Sequence, residues 1–352
     1  MDQKGPMAKP LHNYDATVLS AYLEQHVTGF TGLAGIGRFS DGQSNPTYRI
    51  SDISGTSYVL RAKPPGELLK SAHAVDREFR VMKALAETAV PVPKMLHLSC
   101  DDSPMGTQFL VMDYLSGTVF WDPSLPECSK SFRTQAYSAL VKTLAALHEV
   151  NPQAVGLQDF GRPGNYFSRQ VSRWTRQYRA SETQGRPDMD WTIDWLSQNL
   201  VADDGRVSIV HGDYRLDNVM FDAQSPKMIA VLDWELSTLG HPFADLAYQC
   251  MGLRLPQDAL IKGLGALDRT ALGIPNEAEY VGQYCDLRDI APPENWGFYM
   301  AFSFFRLAAI LEGVLYRAQS GNASNPKGMG AMNSTIITLA QAAKTTAQQS
   351  SK

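Results

Sequence analysis

One segment near the middle of the chain limits most strongly what the chain can fold into. Residues 211–218 read HGDYRLDN and directly follow an apolar run, residues 207–210. A second apolar run, residues 228–232, leads into Asp233-Trp234-Glu235. The pattern predicts two strands that each end in a carboxylate, with an asparagine between the two carboxylates along the chain.

These residue types, in this order, are what phosphoryl transfer from ATP requires. One carboxylate orients the attacking hydroxyl, while an amide oxygen and a second carboxylate hold the magnesium ion that neutralises the phosphates. Asp213 and Asn218 also have the four-residue separation of the kinase catalytic loop. The HGD tripeptide alone is a weak signal, but its combination with Asn218 and the strand-borne Asp233 is specific. The alternative is two ordinary strand ends with solvated turn acids.

Length, charge and cysteine content restrict the class of protein further. A chain of 352 residues is long enough for two lobes with cores of their own. The net charge of −4 argues against a general nucleic-acid or membrane-surface binder. The four cysteines form no CxxC pair, which favours buried thiols in a reducing compartment over a disulfide framework or a zinc site.

Targeting and membrane signals are weak in the sequence. Residues 1–10 are polar and contain no apolar core of signal-peptide length. We expect no segment with the roughly 20 consecutive apolar residues that are needed to span a bilayer. We therefore expect a cytoplasmic protein without a membrane span, and we expect residues 1–15 to form a disordered tail.

The N-terminal lobe, residues 16–116, is expected to bind the nucleotide. Two strand-like runs flank a loop of small and polar residues, Gly42, Gln43, Ser44 and Asn45. Backbone N–H groups and the Ser44 hydroxyl in such a loop could approach phosphates. A hairpin of this form is also common as a simple turn.

The next predicted strand, residues 58–63, carries two candidate cations for the nucleotide phosphates. In kinases this strand supplies a cation that is held by a glutamate on the following helix. Strand alternation places Arg61 and Lys63 on one side, and Arg61 is preferred because it lies deeper in the apolar run. Glu78, on the predicted helix 72–88, is the candidate partner of Arg61. A solvated helix acid is the alternative interpretation of Glu78.

A buried strand that begins at Phe109 ends in Asp113, Tyr114 and Leu115, where a two-lobed kinase has the hinge that reads adenine through main-chain groups. We place the boundary between the lobes at Gly117, so that residues 117–346 form the catalytic and substrate-binding C-lobe.

Residues 161–186 are the stretch most informative about the substrate. They contain six arginines and one acid, Glu182. Arg169, Arg173 and Arg176 fall on one face of a helix. This face is either a solvated basic surface or a docking surface for an anion such as a carboxylate or a phosphorylated carrier.

Two further residues, Glu235 and Arg306, are candidates for substrate contact. Arg306 lies alone in a strongly apolar helix, and a buried charge must be paired. It is expected either to hold an acid of the C-lobe or to line the substrate site. Asp245, in the first turn of another helix, is predicted to brace the catalytic loop through Arg215 or His211.

With these residues in place, the chain resembles the aminoglycoside phosphotransferase and choline kinase group. Within that group it is most similar to the kinase-like domain of acyl-CoA dehydrogenase family members ten and eleven. The resemblance covers nearly the whole chain. It is carried by FSDGQSNPT at 39–47, VLRAKPPG at 59–66, REFRVMKAL at 77–85, YRASET at 178–183, VHGDYRLDN at 210–218, VLDWELSTLG at 231–240 and ENWGFYMAFSFFR at 294–306.

The resemblance implies an α+β, two-lobed protein-kinase-like fold with a small antiparallel-sheet N-lobe and a larger, mainly helical C-lobe. It further implies Asp213 as the catalytic base, Asn218 and Asp233 as Mg²⁺ ligands, and ATP as the phosphate donor. The implied acceptor is the hydroxyl of a hydroxyacyl-CoA or related hydroxy acid. An acyl-CoA dehydrogenase on a separate chain is the implied partner. Many relatives have lysine at the position of Arg61.

Two other functions remain open from the sequence. The chain could be an aminoglycoside or amino-alcohol (choline-like) phosphotransferase, although the arginine-rich stretch suits a polycationic ligand poorly. It could also be a catalytically quiet nucleotide-binding module, for which a missing metal ligand would be typical, and none is missing here.

Overall fold

The structure is a computed structural model that describes residues 12–39, 45–64, 74–319 and 329–350. The elements up to residue 198 are α1 (Ala16–His26), β1 (Leu33–Arg38), β2 (Thr47–Asp52), β3 (Ser57–Ala62), α2 (Val75–Leu85), β4 (Met95–Leu98), β5 (Phe109–Asp113), β6 (Gly117–Thr118), α3 (Lys130–Glu149), α4 (Tyr166–Ala180) and α5 (Pro187–Gln198). They are followed by β7 (Ser208–Val210), β8 (Val219–Asp222), β9 (Met228–Val231), β10 (Thr238–Gly240), α6 (Phe243–Arg254), α7 (Arg269–Leu272), α8 (Glu277–Arg288), α9 (Trp296–Gln319) and α10 (Met329–Ser350).

The chain divides into two compact units. The first contains the described residues up to Val119 together with Asn218–Ser237, and the second contains Phe120–Asp217 and the described residues from Thr238 onward. The prediction had assigned residues 117–346 to the C-lobe without interruption. The structure differs at Asn218–Ser237 because β8 pairs with both β6 and β9 in a three-stranded antiparallel sheet.

Gly117 shows why β8 can join the first unit. It lies opposite Asp222 in the register of β6 and β8. A Cβ atom at this position would lie 2.5 Å from the Phe221 carbonyl oxygen, so a larger residue could not pack here. The glycine that marked the predicted boundary is therefore a close-packing position between two strands.

The main sheet of the first unit is antiparallel, with the strand order β1-β2-β3-β5-β4. Its inward side chains alternate as the sequence pattern requires, and Tyr48, Ile50 and Leu60 are fully buried. Helix α1 covers them with Leu19 and Leu23, which are four residues apart on one helix face. Asp15 caps α1 by accepting hydrogen bonds from the N–H groups of Thr17 and Val18.

The predicted disordered tail is shorter than expected at its C-terminal end. His12 is 6% exposed, and its Nδ1 lies 2.6 Å from the Tyr48 hydroxyl. Its Nε2 donates to the carbonyl oxygen of Lys63 at 2.7 Å. Residues 12–15 are therefore tied to the sheet by a buried imidazole, a contact that no local pattern could indicate. Residues 1–11 lie outside the described part of the chain.

The second unit is mainly helical. Helix α9 runs through its core, with Phe302, Phe305 and Ala308 among its fully or almost fully buried side chains. The two-stranded sheet β7–β10 is antiparallel and places Val210 opposite Thr238. Helix α8 begins with a capping box in which Asn276 and Glu279 exchange side-chain-to-backbone hydrogen bonds.

Helix α9 corrects one statement made from the sequence. It is long and apolar enough to cross a membrane by length and composition, although no such segment had been expected. Of its most apolar window, 83% is buried inside the structure, which is typical of a core helix. The four cysteines are free, as predicted, but Cys100 is exposed, so the expectation of buried thiols is wrong for this residue.

Candidate active site

The first unit brings together a cation and three carboxylates. Arg61 Nε lies 3.0 Å from Glu78 Oε2, and Arg61 Nη2 donates to Asp233 Oδ1 at 2.7 Å. Strand β3 positions the arginine, helix α2 positions the glutamate, and the turn after β9 positions Asp233. The predicted pairing of Arg61 with Glu78 is thus present, and the same guanidinium also holds the carboxylate that was predicted as a metal ligand.

Lys63, the alternative cation, pairs with a different carboxylate. Its ammonium group is 3.3 Å from Asp101, whose side chain is 80% exposed. Strand β3 ends at Ala62, so the alternation that placed Lys63 beside Arg61 does not extend to it. The structure therefore favours Arg61 as the cation of this site.

Glu78 is almost completely buried, with 1% of its surface exposed. Asn45 Nδ2 donates to Glu78 Oε1 at 3.0 Å, so both carboxylate oxygens have partners. Burial raises the pKa of Glu78 to about 7, with a further increase from Asp233 and Glu235 that Arg61 opposes. Of the four predicted loop residues, Asn45 therefore supports Glu78. Gly42, Gln43 and Ser44 lie outside the described residues.

The chain around Asp233 is shaped for its position. Asp233 adopts a left-handed conformation, with φ of 62°, at the start of the short 3₁₀ turn Trp234–Leu236. The Leu232 N–H donates to the Asn218 carbonyl oxygen at 2.8 Å. Because Val219 lies opposite Val231 in the β8–β9 register, Asn218 and Asp233 are brought to the same end of this hairpin.

Oxygen atoms of Glu78, Asp233 and Glu235 lie within 4.8 Å of one another. Hard oxygen ligands of this kind suit Mg²⁺. Glu235, predicted as a substrate contact, thus belongs to the acidic group around Arg61. The carboxamide of Asn218, at the end of the neighbouring strand, is a further oxygen donor of the right type.

The predicted hinge residues lie at the end of β5. The Asp113 N–H donates to the Lys94 carbonyl oxygen at 3.0 Å, and the ring of Tyr114 lies 4.5 Å from the Arg49 guanidinium carbon. Asp113, Tyr114 and Leu115 are all partly buried. Their role in adenine binding stays a prediction.

The second unit holds the catalytic loop in place through one buried carboxylate. Asp245, on α6, accepts hydrogen bonds from the N–H groups of His211 at 2.6 Å and Gly212 at 2.8 Å. His148 Nε2 lies 3.3 Å from the same carboxylate, and His148 Nδ1 lies 2.7 Å from the Tyr284 hydroxyl. Asp245 is the brace that the sequence predicted, and it acts on the loop backbone.

Burial and hydrogen bonding set the charge states of His148 and Asp245. Burial lowers the pKa of His148, so the ring is neutral at pH 7 and can donate to Asp245. Burial alone would raise the pKa of Asp245, but the hydrogen bonds from His148 and from the Gly212 backbone lower it overall. The loop is therefore held by an ionised carboxylate that is fully removed from water.

Asp213 is partly buried, and two groups hold its carboxylate. Tyr248, three residues after Asp245 on α6, forms a side-chain hydrogen bond with Asp213. Arg215 Nε lies 3.8 Å from Asp213 Oδ1, and the Arg215 guanidinium also pairs with Asp217. Burial would lower the pKa of Arg215, but the carboxylates of Asp213 and Asp217 raise it instead. The arginine thus remains a cation beside the predicted base.

Arg306 supports the loop at the Gly212 carbonyl group. It is 4% exposed, and its Nη2 donates to the carbonyl oxygen of Gly212. Its guanidinium carbon lies 5.4 Å from the ring of Trp174 and 5.2 Å from that of Tyr248. The first alternative from the sequence, an ion pair with an acid, is wrong, and the second, a place in the substrate site, stays a prediction. No acid within ion-pair distance is seen in the described part of the second unit, and burial keeps its guanidinium on the loop carbonyl.

Sequence reasoning missed Tyr248 and the Arg306–Gly212 bond. The spacing of Asp245 and Tyr248, i and i+3 on one helix, could have indicated that both face the same loop. No local pattern could have indicated that Arg306, 94 residues after Gly212, meets its carbonyl group. The predicted arginines Arg169, Arg173 and Arg176 are found together at one cavity of this unit.

The fold and these groups define a kinase-like phosphotransferase. The chain matches the phosphotransferase enzyme family over residues 35–280 and belongs to it. This membership confirms the predicted enzyme class, a phosphotransferase with an alcohol group as acceptor. Among solved structures, a Ralstonia eutropha protein assigned to the aminoglycoside phosphotransferases is 45% identical, with a TM-score of 0.87. The match covers 96% of this chain and 99% of that one.

More distant structures share the fold alone. An aminoglycoside phosphotransferase in a ternary complex with AMP-PNP and hygromycin B is 15% identical, with a TM-score of 0.60 over 93% of this chain and 99% of that one. With the antiparallel sheet and the helical unit described above, these matches confirm the predicted α+β, protein-kinase-like fold class.

Curated relatives are considerably longer than this chain. Acyl-CoA dehydrogenase family member 10 of Mus musculus is 47% identical over 326 residues, which cover 91% of this chain and 30% of the relative. Family member 11 of Homo sapiens is 41% identical over 321 residues, which cover 90% and 41%. These matches agree with the resemblance that the sequence motifs indicated.

Proposed function

We propose that this chain is an ATP-dependent kinase whose acceptor is the hydroxyl group of a hydroxyacyl-CoA or a related hydroxy acid. The observation that carries the proposal is the set of hydrogen bonds and ion pairs that hold Asp213 and its loop. The loop that bears this carboxylate is fixed by Asp245 through two backbone N–H groups, and the carboxylate itself is oriented by Tyr248 and Arg215. A fixed, partly exposed carboxylate of this kind is suited to orient an attacking hydroxyl.

In the proposed reaction the substrate oxygen forms a bond to the γ-phosphorus of ATP. The bond between that phosphorus and the oxygen bridging to the β-phosphate breaks, and ADP leaves with the bond's electron pair. The hydroxyl proton passes to a carboxylate oxygen of Asp213. Arg215 and Tyr248 hold the carboxylate in position for this transfer.

The nucleotide side of the reaction is assigned to the first unit. Arg61, paired with Glu78 and Asp233, is the cation proposed to contact the phosphates. The oxygens of Asp233 and Glu235, and the nearby Asn218, fit a magnesium ion by donor type. When bound, Mg²⁺ neutralises phosphate charge during transfer.

The choice of acceptor is supported by two observations. Curated relatives at 41–47% identity carry acyl-CoA dehydrogenase names, and coenzyme A bears phosphate groups that suit an arginine-lined cavity. Aminoglycoside phosphotransferases are among the structural matches. However, aminoglycosides are polycations, and four arginines around one cavity would repel them.

Two related assignments are part of the same proposal. A phosphorylated hydroxyacyl-CoA would be a substrate for an acyl-CoA dehydrogenase, which we propose as the functional partner. The cytoplasm remains the proposed location.

An ADP-release screen tests the function directly. The purified chain is incubated with MgATP and, separately, hydroxyacyl-CoAs, free hydroxy acids, amino alcohols and aminoglycosides, with Asp213→Asn as the matched inactive control. We expect ADP release with hydroxyacyl-CoAs and a loss of about a thousandfold in kcat for the variant. Turnover with kanamycin-like or choline-like acceptors alone would establish the alternative kinase function. Stabilisation by MgATP in a thermal-shift assay, without ADP release with any acceptor, would favour the catalytically quiet nucleotide-binding module.

A further inference from the structure

A solvent-facing cavity of the second unit is lined by positively charged side chains and by no acidic ones. Its volume is about 480 Å³. It is lined by Arg162, Arg169, Gln170, Ser172, Arg173, Arg176, Thr238 and Leu239. Four of these eight residues are arginines, and none is acidic. The cavity therefore presents four guanidinium groups without a compensating carboxylate in its wall.

Other arginines in the same stretch of the chain are paired with carboxylates. Arg179, one turn beyond Arg176 on α4, pairs with Glu182 and Asp190. Arg186 pairs with Glu312. In contrast, among the described residues, the four cavity arginines have no carboxylate within 4.0 Å.

The contacts of the cavity arginines leave most of their donors available. Arg169 donates to the carbonyl oxygens of Arg162 and Pro163, and Arg176 donates to the Ser172 hydroxyl at 2.7 Å. Arg173 lies over the ring of Trp174, with 5.4 Å between its guanidinium carbon and the ring centre. Each guanidinium carries five N–H donors in a planar fork that matches the oxygens of a phosphate group.

The cavity is physically connected to the catalytic loop. Thr238, in its wall, lies opposite Val210, which is three residues before Asp213. With about 5 Å between paired Cα atoms and about 3.8 Å for each chain step, the Cα atoms of Thr238 and Asp213 are at most roughly 17 Å apart. A ligand anchored in the cavity by its phosphates could therefore extend a long arm to Asp213.

Trp174 provides a second connection. It is 5% exposed, and the guanidinium carbons of the cavity residue Arg173 and of Arg306, which supports the loop, are both 5.4 Å from its ring centre. Helix α4 thus carries Arg173 and Arg176 on its exposed side and contacts, through the buried Trp174, the arginine that holds Gly212.

We propose that this cavity binds the phosphate groups of a phosphorylated acceptor, with the hydroxyl-bearing end of the acceptor directed toward Asp213. The assignment deepens the function proposed above and rests on it for the identity of the acceptor, coenzyme A thioesters. The shared chemistry is that of anionic phosphate groups, which could also reach the cavity as free polyphosphate.

The test uses the full chain and the double variant R173Q/R176Q. Both side chains are exposed and neither bonds an acid, so their replacement should leave folding intact. The matched control is R179Q on the same helix. Melting temperatures of all three proteins are compared first. Binding of coenzyme A alone and of inorganic pyrophosphate is then measured calorimetrically at low and high salt.

We expect the double variant to bind coenzyme A at least about tenfold more weakly than the wild type, and the control to bind it normally. Wild-type affinity should also fall as salt rises. Unchanged affinity in the double variant overturns the proposal. So does binding of pyrophosphate without binding of coenzyme A, because the cavity would then be a site for free anions.

Steady-state kinetics separate this proposal from the proposed function. With a hydroxyacyl-CoA, the double variant should show a KM raised about tenfold and a kcat within about twofold of wild type. With the matching hydroxyacyl-pantetheine, which lacks the phosphates, the two proteins should have equal KM values. If neither thioester is phosphorylated but coenzyme A binding still depends on the arginines, the kinase assignment is wrong and the phosphate assignment of the cavity stands.

Discussion

Replacement of Asp245 by asparagine is the perturbation whose consequence follows most directly from the structure. The carboxylate is fully buried, and it receives three hydrogen bonds, from the His211 N–H, the Gly212 N–H and His148 Nε2. Oδ2 accepts from His211 and His148, while Oδ1 accepts from Gly212. Asparagine has nearly the same shape but offers one acceptor oxygen and one NH₂ group in place of two acceptors.

The magnitude can be worked out from this count. If the amide oxygen keeps the two bonds of Oδ2, the amide nitrogen faces the Gly212 N–H, and a buried donor loses its acceptor. An unsatisfied buried group costs about 1–3 kcal/mol, and loss of charge assistance in the two remaining bonds adds about 1 kcal/mol. The free energy of unfolding should therefore fall by about 2–4 kcal/mol. For a unit of about 200 residues this corresponds to a decrease of roughly 4–16 °C in melting temperature.

Thermal unfolding and steady-state ADP release measure the two consequences. Asp286→Asn, at an exposed position on α8, is the matched control. In Asp245→Asn we also expect kcat to fall at least about tenfold, because Gly212 directly precedes Asp213 and small displacements of a catalytic group are costly. A melting temperature within 1 °C of wild type in this variant, together with normal kcat, would refute the bracing role.

Three further predictions concern the same unit. Arg306→Met should lower kcat about tenfold with little change in KM, measured by ADP release, because the buried Gly212 carbonyl loses its donor; a normal kcat would contradict this. Tyr248→Phe should lower kcat about three- to tenfold while the melting temperature changes by less than about 3 °C, because one hydrogen bond to Asp213 is lost; an unchanged kcat would show that Arg215 alone orients Asp213. Acidification should destabilise the protein through His148, whose pKa burial lowers from 6.5. The unfolded chain binds a proton there near pH 6.5 and the folded chain does not, so stability present above pH 6.5 is lost as pH falls. His148→Gln should reduce the drop in melting temperature between pH 7.5 and 5.5, and an equal drop in both proteins would count against this origin.

The order of the catalytic and metal-binding residue types along the chain could be predicted, because it depends only on local sequence patterns. Apolar runs that lead into Asp213 and Asp233 are visible in the sequence, and α2 lies within the predicted helix 72–88. The pairing of Arg61 with Glu78 followed from the relation between a strand and the next helix. These features depend on neighbours within a few turns or strands.

Other features could not be predicted from the sequence, because they are contacts between residues that are far apart along the chain. Residues 218–237 join the first unit through strand pairing with Gly117, and His12 reaches Tyr48 across 36 residues. Neither contact leaves a periodic signal in the sequence, since each depends on where whole strands are placed.

The sequence by itself determined which chemistry this protein can perform: a carboxylate, an asparagine and a second carboxylate at strand ends, with an arginine and a glutamate for the nucleotide side. Only the tertiary structure decided which residues hold those groups in place and which charge state they have. It showed that Asp245 binds the loop backbone, that Arg306 supports Gly212, and that the arginines of α4 surround a cavity without acids. The physical reason is that residue types and local spacing set chemical capability, whereas burial, hydrogen-bond partners and net local charge arise only when remote segments pack together.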